Sequence, residues 1–335
     1  MKTGIFCTYE NYHQNAQRAI ADQVALVQHA EGLGFEEAWV TEHHFDEFHI
    51  SPSILPLIAH LAGVTSKIQL GSAAVLLAFH NPIQIAEDIA TLDNLCNGRF
   101  SFGIAKGGPF PEQNKHFETP IVQARTKTLE ALDLIWKLLY QSEVSFQGQF
   151  YQCDRVTIYP KPLQQPLPTF IASGDDDAIA FAANHSFGLM GGAPFSLQKL
   201  KTTLAKYRQL NSSGSERFML SRFFFVARTD EEAINEALPF IDKFSRRMQA
   251  LTARIQSSGD TQSFTQLSQQ SNPFNCDFLI ANSIIGSVQT CRDKVKQFQD
   301  ELNLGTIALK PASFDLLKNQ ESLTRYQQEV RSYIS

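Results

Sequence analysis

The chain has 335 residues, 43% of them hydrophobic, which suits one large α/β barrel or two smaller domains with a substantial core. Its formal charge of -5 comes without a basic stripe, so nucleic acid is not an expected partner. The five cysteines include no Cys-x-x-Cys pair, which argues against a disulfide framework or a zinc site and for reduced thiols in the cytoplasm. The apolar start from Gly4 to Cys7 is strand-sized and reads as no signal peptide, and no apolar run is long enough to span a bilayer.

Strand-like and helix-like segments alternate along the chain. Gly4 to Cys7 reads as a first strand. Ile20, Val24 and Val27 then recur at helical spacing until Gly32 and Gly34 stop the helix. Ala38 to Thr41 is a second strand, Pro52 to Val64 a helix, and Ile68 to Leu77 a third strand. Asn81-Pro82 opens the next helix, with Asn as N-cap and Pro at the first helical position, and Asn97-Gly98 ends it. Arg99 to Lys106 is a fourth strand, and Leu129, Leu132, Trp136 and Leu139 mark a helix. Phe146 to Phe150 predicts a hairpin turn, inside an insertion at about 144–160, and four prolines make an extended connector. Thr169 to Ala172, Gly188 to Met190, Phe218 to Ala227 and Thr306 to Leu309 complete eight strands. Repeated βα units give a closed barrel or a doubly wound sheet, and eight strands at this length favour a single (β/α)8 TIM barrel over 1–335. The Ser- and Gln-rich stretch at 257–275 breaks the pattern and reads as a lid-like insertion, placed at about 252–280.

The chemistry-bearing run is Trp39-Val40-Thr41-Glu42-His43-His44-Phe45. A buried strand ends in a carboxylate and two imidazoles, and strand C-termini form the ligand-binding face of such folds. Histidine titrates near neutral pH and can move a proton. Asp93 and Arg99 flank a helix-to-strand turn and read as structural, and His80 reads first as part of a helix start.

These motifs resemble the bacterial luciferase-like, flavin-dependent monooxygenase family over nearly the whole chain. The likeness rests on Glu42-His43-His44-Phe45, Gly71-Ser72-Ala73-Ala74, His80-Asn81-Pro82, Gly98-Arg99-Phe100, Lys106-Gly107, Arg125 and Gly286-Ser287 in this order. The Glu42 run is most like that of the luciferase α subunit. The resemblance implies reduced FMN at the barrel mouth, reacting with oxygen to a flavin C4a-hydroperoxide. It implies a catalytic role for His43, with His44 and Glu42 beside it. It also implies an unusual non-proline cis peptide at Ala73-Ala74, against the flavin ring.

By the same resemblance, Lys106, Arg125, Ser173 and the Gly174 amide would hold the flavin phosphate. Lys106 stands in place of an arginine, a point charge instead of a bidentate fork. Asp175, Asp176 and Asp177 follow where hydroxyls are expected. A carboxylate about 5 Å from a phosphate costs about 3 kcal/mol per unit charge pair at an effective dielectric near 20. N-capping is the ordinary role of such residues. Ala105 replaces a cysteine of the luciferase α subunit, so light emission is not expected.

The implied activity is that of the oxygenase component of a two-component system, fed by a separate flavin reductase. It would act on an aldehyde or another small apolar substrate, as a homodimer or heterodimer through the helices at 52–64 and 82–95, with no metal. No Gly-x-Gly-x-x-Gly follows the first strand, so no nicotinamide site is expected. Two alternatives stay open: a deazaflavin (F420)-dependent oxidoreductase, and a non-catalytic flavin-binding or heterodimer-partner subunit.

Overall fold

The computed structural model describes residues 1–333 apart from 109, 212, 215 and 258–273. The expected lid falls largely on 258–273 and so lies outside the described residues.

Eight parallel strands close a barrel, as the alternating apolar runs predict. They are β1 (Lys2–Cys7), β2 (Glu37–Val40), β3 (Gln69–Ser72), β5 (Phe100–Ala105), β8 (Thr169–Ile171), β9 (Gly188–Gly191), β10 (Phe218–Ala227) and β12 (Thr306–Pro311). Closure comes from β10, whose Phe218 to Leu220 pair with β9 and whose Met219 to Phe224 pair with β12.

Two departures from the expected strands matter for the site. The third strand is split: β3 stops at Ser72, the Ala73-Ala74 peptide is cis, and β4 (Val75–Leu76) resumes against Ile104 and Ala105 of β5. The second is β11 (Ile284–Ser287), which pairs with Phe224 to Ala227, the upper half of the unusually long β10. Its four residues had read only as the approach to a helix, because Ser287 is also an N-cap.

Polar caps start many of the helices. α1 (Ala16–Gly32) is capped by Asn15, and α2 (Ile54–Val64) follows β2. α3 (Pro82–Leu95) begins at Asn81, whose side chain accepts from the Ile83 and Gln84 amides. α4 (Pro111–His116) and α5 (Ile121–Tyr140) follow β5. α6 (Asp176–Asn184) is capped by Asp175 and α7 (Leu197–Leu210) by Ser196. α8 (Asp230–Ser257), α9 (Cys276–Ala281), α10 (Val288–Leu302) and α11 (Leu316–Arg325) complete the shell. The expected hairpin is β6 (Val144–Gln147) with β7 (Gln152–Val156). The Glu130 carboxylate of α5 anchors its turn, accepting from the amides of Gln149, Phe150 and Tyr151 at 2.8–2.9 Å.

The lower barrel is packed solid. Trp39 lies where a Cβ on Gly71 would meet its ring at 2.2 Å, so only glycine fits opposite it. The indole Nε1–H donates to Glu37 at 2.8 Å, and Lys2 pairs with the same carboxylate at 2.9 Å. Above this floor the interior cluster of Trp39, Phe170, Met190, Met219 and Ala308 leaves Phe6, Ala73 and Ala172 partly open. These three residues form an apolar base for the mouth at the C-terminal strand ends.

Candidate active site

The β2 terminus carries the expected carboxylate and imidazoles, and folding divides them between two clusters. Glu42 is buried, and its Oε1 accepts from His44 Nε2 at 2.7 Å and from His80 Nε2 at 2.8 Å. Its Oε2 accepts from the Leu76 amide at 3.1 Å. Burial alone would raise the Glu42 pKa, but the two imidazoles and the amide outweigh it and hold the value below the ordinary carboxylate range. The three ligating atoms lie within 4.8 Å of one another, a spacing that a metal ion could use. The hydrogen bonds from the two imidazoles to Glu42 account for the same spacing. His80, which the sequence presents mainly as a helix start, is therefore the partner that ties the β4–α3 connection to β2.

His43 turns to the other cluster. Its ring stacks on His49, with centroids 4.8 Å apart and planes at 29°. Among the described residues neither ring nitrogen of His43 takes a hydrogen bond, and the side chain keeps part of its surface open. Protein nevertheless surrounds the ring, and this burial, with neighbouring His49 and Lys310, pushes its pKa well below the usual histidine value. His43 is thus a neutral imidazole at pH 7, able to donate one proton and accept another. His49 Nδ1 donates to Asp46 at 3.0 Å, and Arg247 of α8 binds the same carboxylate. Lys310, at the end of β12, pairs with Glu10 at 3.2 Å inside a box of Phe223, Phe240 and Phe244.

Across the mouth, small side chains let backbones approach closely. Ser72 Oγ donates to Gly103 O at 2.8 Å and accepts from Gly103 N at 2.9 Å, locking β3 to β5 just below the Ala73-Ala74 bond. The Ala73 amide donates to Val40 O at 2.6 Å. The cis peptide expected from the resemblance is present.

The expected anion cradle lies at the ends of β5 and β8. Arg125 Nη2 donates to Ser173 Oγ at 3.0 Å, and Arg125 Nε lies 3.3 Å from Asp175 Oδ1. Nε has that carboxylate as its partner, whereas Nη1 is buried without a hydrogen-bond partner among the described residues. Ser173 Oγ also accepts from the Asp175 amide at 3.1 Å, so with two N–H donors already on it the hydroxyl is left to donate. Burial, then Arg125, lower the Lys106 pKa, while Asp175 opposes them.

A residue that the sequence reading missed, Lys199 of α7, completes the cradle. Its Cε would sit 3.8 Å from a Cβ on Gly174, with Thr203 Oγ1 at 3.7 Å. The aspartates are less obstructive than their number suggests. Asp176 pairs with Lys206 at 2.6 Å, which leaves Asp175 against the arginine and Asp177 as a further charge acting on it. The orphaned guanidinium Nη1, a donating hydroxyl and three cations fit a phosphate monoester. The open apolar base at Phe6, Ala73 and Ala172 fits a flat ring.

The luciferase-like monooxygenase family model matches residues 1–302. The chain is 27% identical over 303 residues to the oxygenase component of a flavin-dependent trigonelline monooxygenase from Acinetobacter baylyi, covering 85% of this chain and 82% of that one. It is 28% identical over 216 residues to an F420-dependent glucose-6-phosphate dehydrogenase from Kineococcus radiotolerans, covering 62% and 64%. Among solved structures, the oxygenating constituent of 3,6-diketocamphane monooxygenase from Pseudomonas putida, in complex with FMN, superposes with a TM-score of 0.80. It is 19% identical, with 99% of this chain and 98% of that one covered, so that likeness bears on the fold. Among the described residues no helix is long and apolar enough to cross a membrane.

Proposed function

Because the chain belongs to the luciferase-like monooxygenase family, we propose that it is a reduced-FMN-dependent monooxygenase, the oxygenase component of a two-component system. The observation that carries the cofactor reading is Arg125, whose buried Nη1 lacks a hydrogen-bond partner among the described residues, beside the Ser173 hydroxyl. Lys106 and Lys199 flank that position, and together they would hold the phosphate. Reduced flavin, when bound, supplies the electrons that activate dioxygen.

The chain's own residues do the rest. Phe6, Ala73 and Ala172 give the ring an apolar seat and keep water from beneath it. His43, neutral and with neither ring nitrogen hydrogen-bonded among the described residues, would hold a proton at one nitrogen and take one at the other. Such proton transfer contributes about 10²–10⁴-fold in rate. Glu42, with His44 and His80, fixes the loop that carries His43. An aldehyde or another small apolar substrate belongs to the same reading, supported by the partly open apolar base at Phe6, Ala73 and Ala172. A separate flavin reductase and a dimer through α2 and α3 belong to the same reading, the first supported by the oxygenase-component name of the Acinetobacter relative.

The test is an anaerobic titration of the purified protein with oxidised FMN, photoreduced FMN and reduced F420, read by fluorescence and calorimetry. Reduced FMN should bind at least as tightly as oxidised FMN. Tight binding of F420 with no affinity for either FMN form would overturn the proposal in favour of hydride transfer.

A further inference from the structure

We propose that His49 is the positioning residue of His43, holding that imidazole in one orientation from outside the reacting centre. The inference rests on the role for His43 given above. Neither ring nitrogen of His43 is fastened by a hydrogen bond among the described residues. The fixed features that hold the residue are its amide, which donates to Ser51 O at 3.2 Å, and the stack on His49. A stack fixes the plane of a ring, and the N–H and lone-pair directions of imidazole lie in that plane. The orientation of His49 therefore sets the direction in which His43 gives or takes its proton.

His49 is itself secured from several sides. Its Nδ1–H donates to Asp46 Oδ2 at 3.0 Å, which fixes the tautomer because an ionised carboxylate only accepts. Asp46 Oδ1 accepts from the amides of Phe48 at 2.7 Å and His49 at 3.1 Å, and from Arg247 of α8. The Phe48 ring packs edge-on to His49 at 4.9 Å, with Lys243 of α8 over it at 4.3 Å. On the backbone, His49 bridges Glu10, and the Ile50 amide donates to Tyr9 O at 3.1 Å. The β2–α2 connection is thereby bound to both the end of β1 and to α8. A side chain so held is a rigid backstop, and a displacement of about 1 Å at a reacting group can cost on the order of 100-fold in rate.

The test uses ¹⁵N-histidine NMR of the flavin-free protein, alongside free hydrogen peroxide released when the reduced-FMN complex meets oxygen. The wild-type His43 ring should show one neutral tautomer with slow exchange. His49→Ala should average its two nitrogen signals and raise peroxide release on the order of tenfold. His49→Phe, which restores a ring to stack on, should return both readouts towards wild type. Arg247→Met, at the outer end of the chain of contacts, should move them in the same direction as His49→Ala and by less, and it serves if the alanine variant does not fold. Unchanged His43 signals in His49→Ala, or in Arg247→Met if that variant must stand in, would overturn the proposal. So would failure of His49→Phe to rescue. Because the NMR readout needs no flavin, a wild-type protein that binds no reduced FMN would sink the cofactor reading and leave this inference separately decided.

Discussion

Glu42 holds His80, 38 residues further along the chain, through a 2.8 Å hydrogen bond to its Nε2. That bond joins the end of β2 to the start of α3, and the same oxygen receives His44. Glu42→Gln keeps the shape but removes the charge that both donors use. Hydrogen bonds to charged groups contribute about 1.5–3 kcal/mol each, so the variant should lose about 3 kcal/mol, read as a lower urea midpoint at unchanged slope.

The pH dependence of that loss follows from the lowered folded-state pKa of Glu42. Its stabilisation is fully present above the unfolded-state value, about 4.3 for Glu. It is lost as the pH falls below that value and through the folded one. Wild type should therefore lose stability between about pH 5 and lower pH more steeply than Glu42→Gln does. Parallel melting-temperature curves for the two proteins across that window would show that Glu42 is not held as drawn.

Arg125 and Asp175 make opposite predictions for FMN affinity. Arg125→Met should weaken binding by on the order of tenfold to 100-fold, the worth of a charge-assisted hydrogen bond or two. Arg125→Lys should recover little, because the fork and its orphaned Nη1 are lost together. Asp175→Asn keeps an N-cap on α6 and frees the guanidinium. The Asp175 side chain is 43% exposed, so solvent screens much of its charge and the gain should be about tenfold at most. Calorimetric titration of the three variants checks the order.

Gly103 joins stability to the site. A Cβ there would meet Ser72 O at 2.0 Å and Met190 Cε at 2.3 Å, and the backbone oxygen cannot move aside. Gly103→Ala should cost about 1–3 kcal/mol or more and should also weaken flavin binding, since Ser72 precedes the Ala73-Ala74 seat. Denaturant unfolding with flavin titration on the same sample reads both effects.

Lys310 and Glu10 form a nearly buried pair, with side chains 7% and 12% exposed. Removing one partner leaves a charge without its counterion. Lys310→Met should cost about 3–5 kcal/mol, whereas the double variant with Glu10→Gln should recover much of it. A double-mutant cycle in urea measures the coupling; additive losses would contradict the pairing.

The barrel was legible because each strand buried on both sides reads as an unbroken apolar run. Turn and cap residues such as Asn81-Pro82 and Asn97-Gly98 mark the helix ends. β11 escaped because Ile284 to Ser287 is short and merges with a cap. The break at Ala73-Ala74 was anticipated through the resemblance, while the apolar pattern ran straight through it. The end of β2 announced Glu42, His43 and His44, but their separation into two clusters depends on His80 and His49, whose pairings are tertiary. Lys199 and Lys310 were missed for the same reason. Lys310 did carry a signal, a charge inside the otherwise apolar run from Thr306 to Pro311. The Asp175 to Asp177 run reads as a threefold obstacle, because sequence does not show that Asp176 pairs with Lys206.

The most direct test of the proposed oxygenation supplies the protein with a flavin reductase, FMN and a panel of aldehydes and small ketones under ¹⁸O₂. Products should carry one ¹⁸O atom per molecule, with free peroxide rising in His43→Ala as product falls. Oxidation of an alcohol in the panel's reduced counterparts by F420, without consumption of oxygen or entry of ¹⁸O, would contradict it.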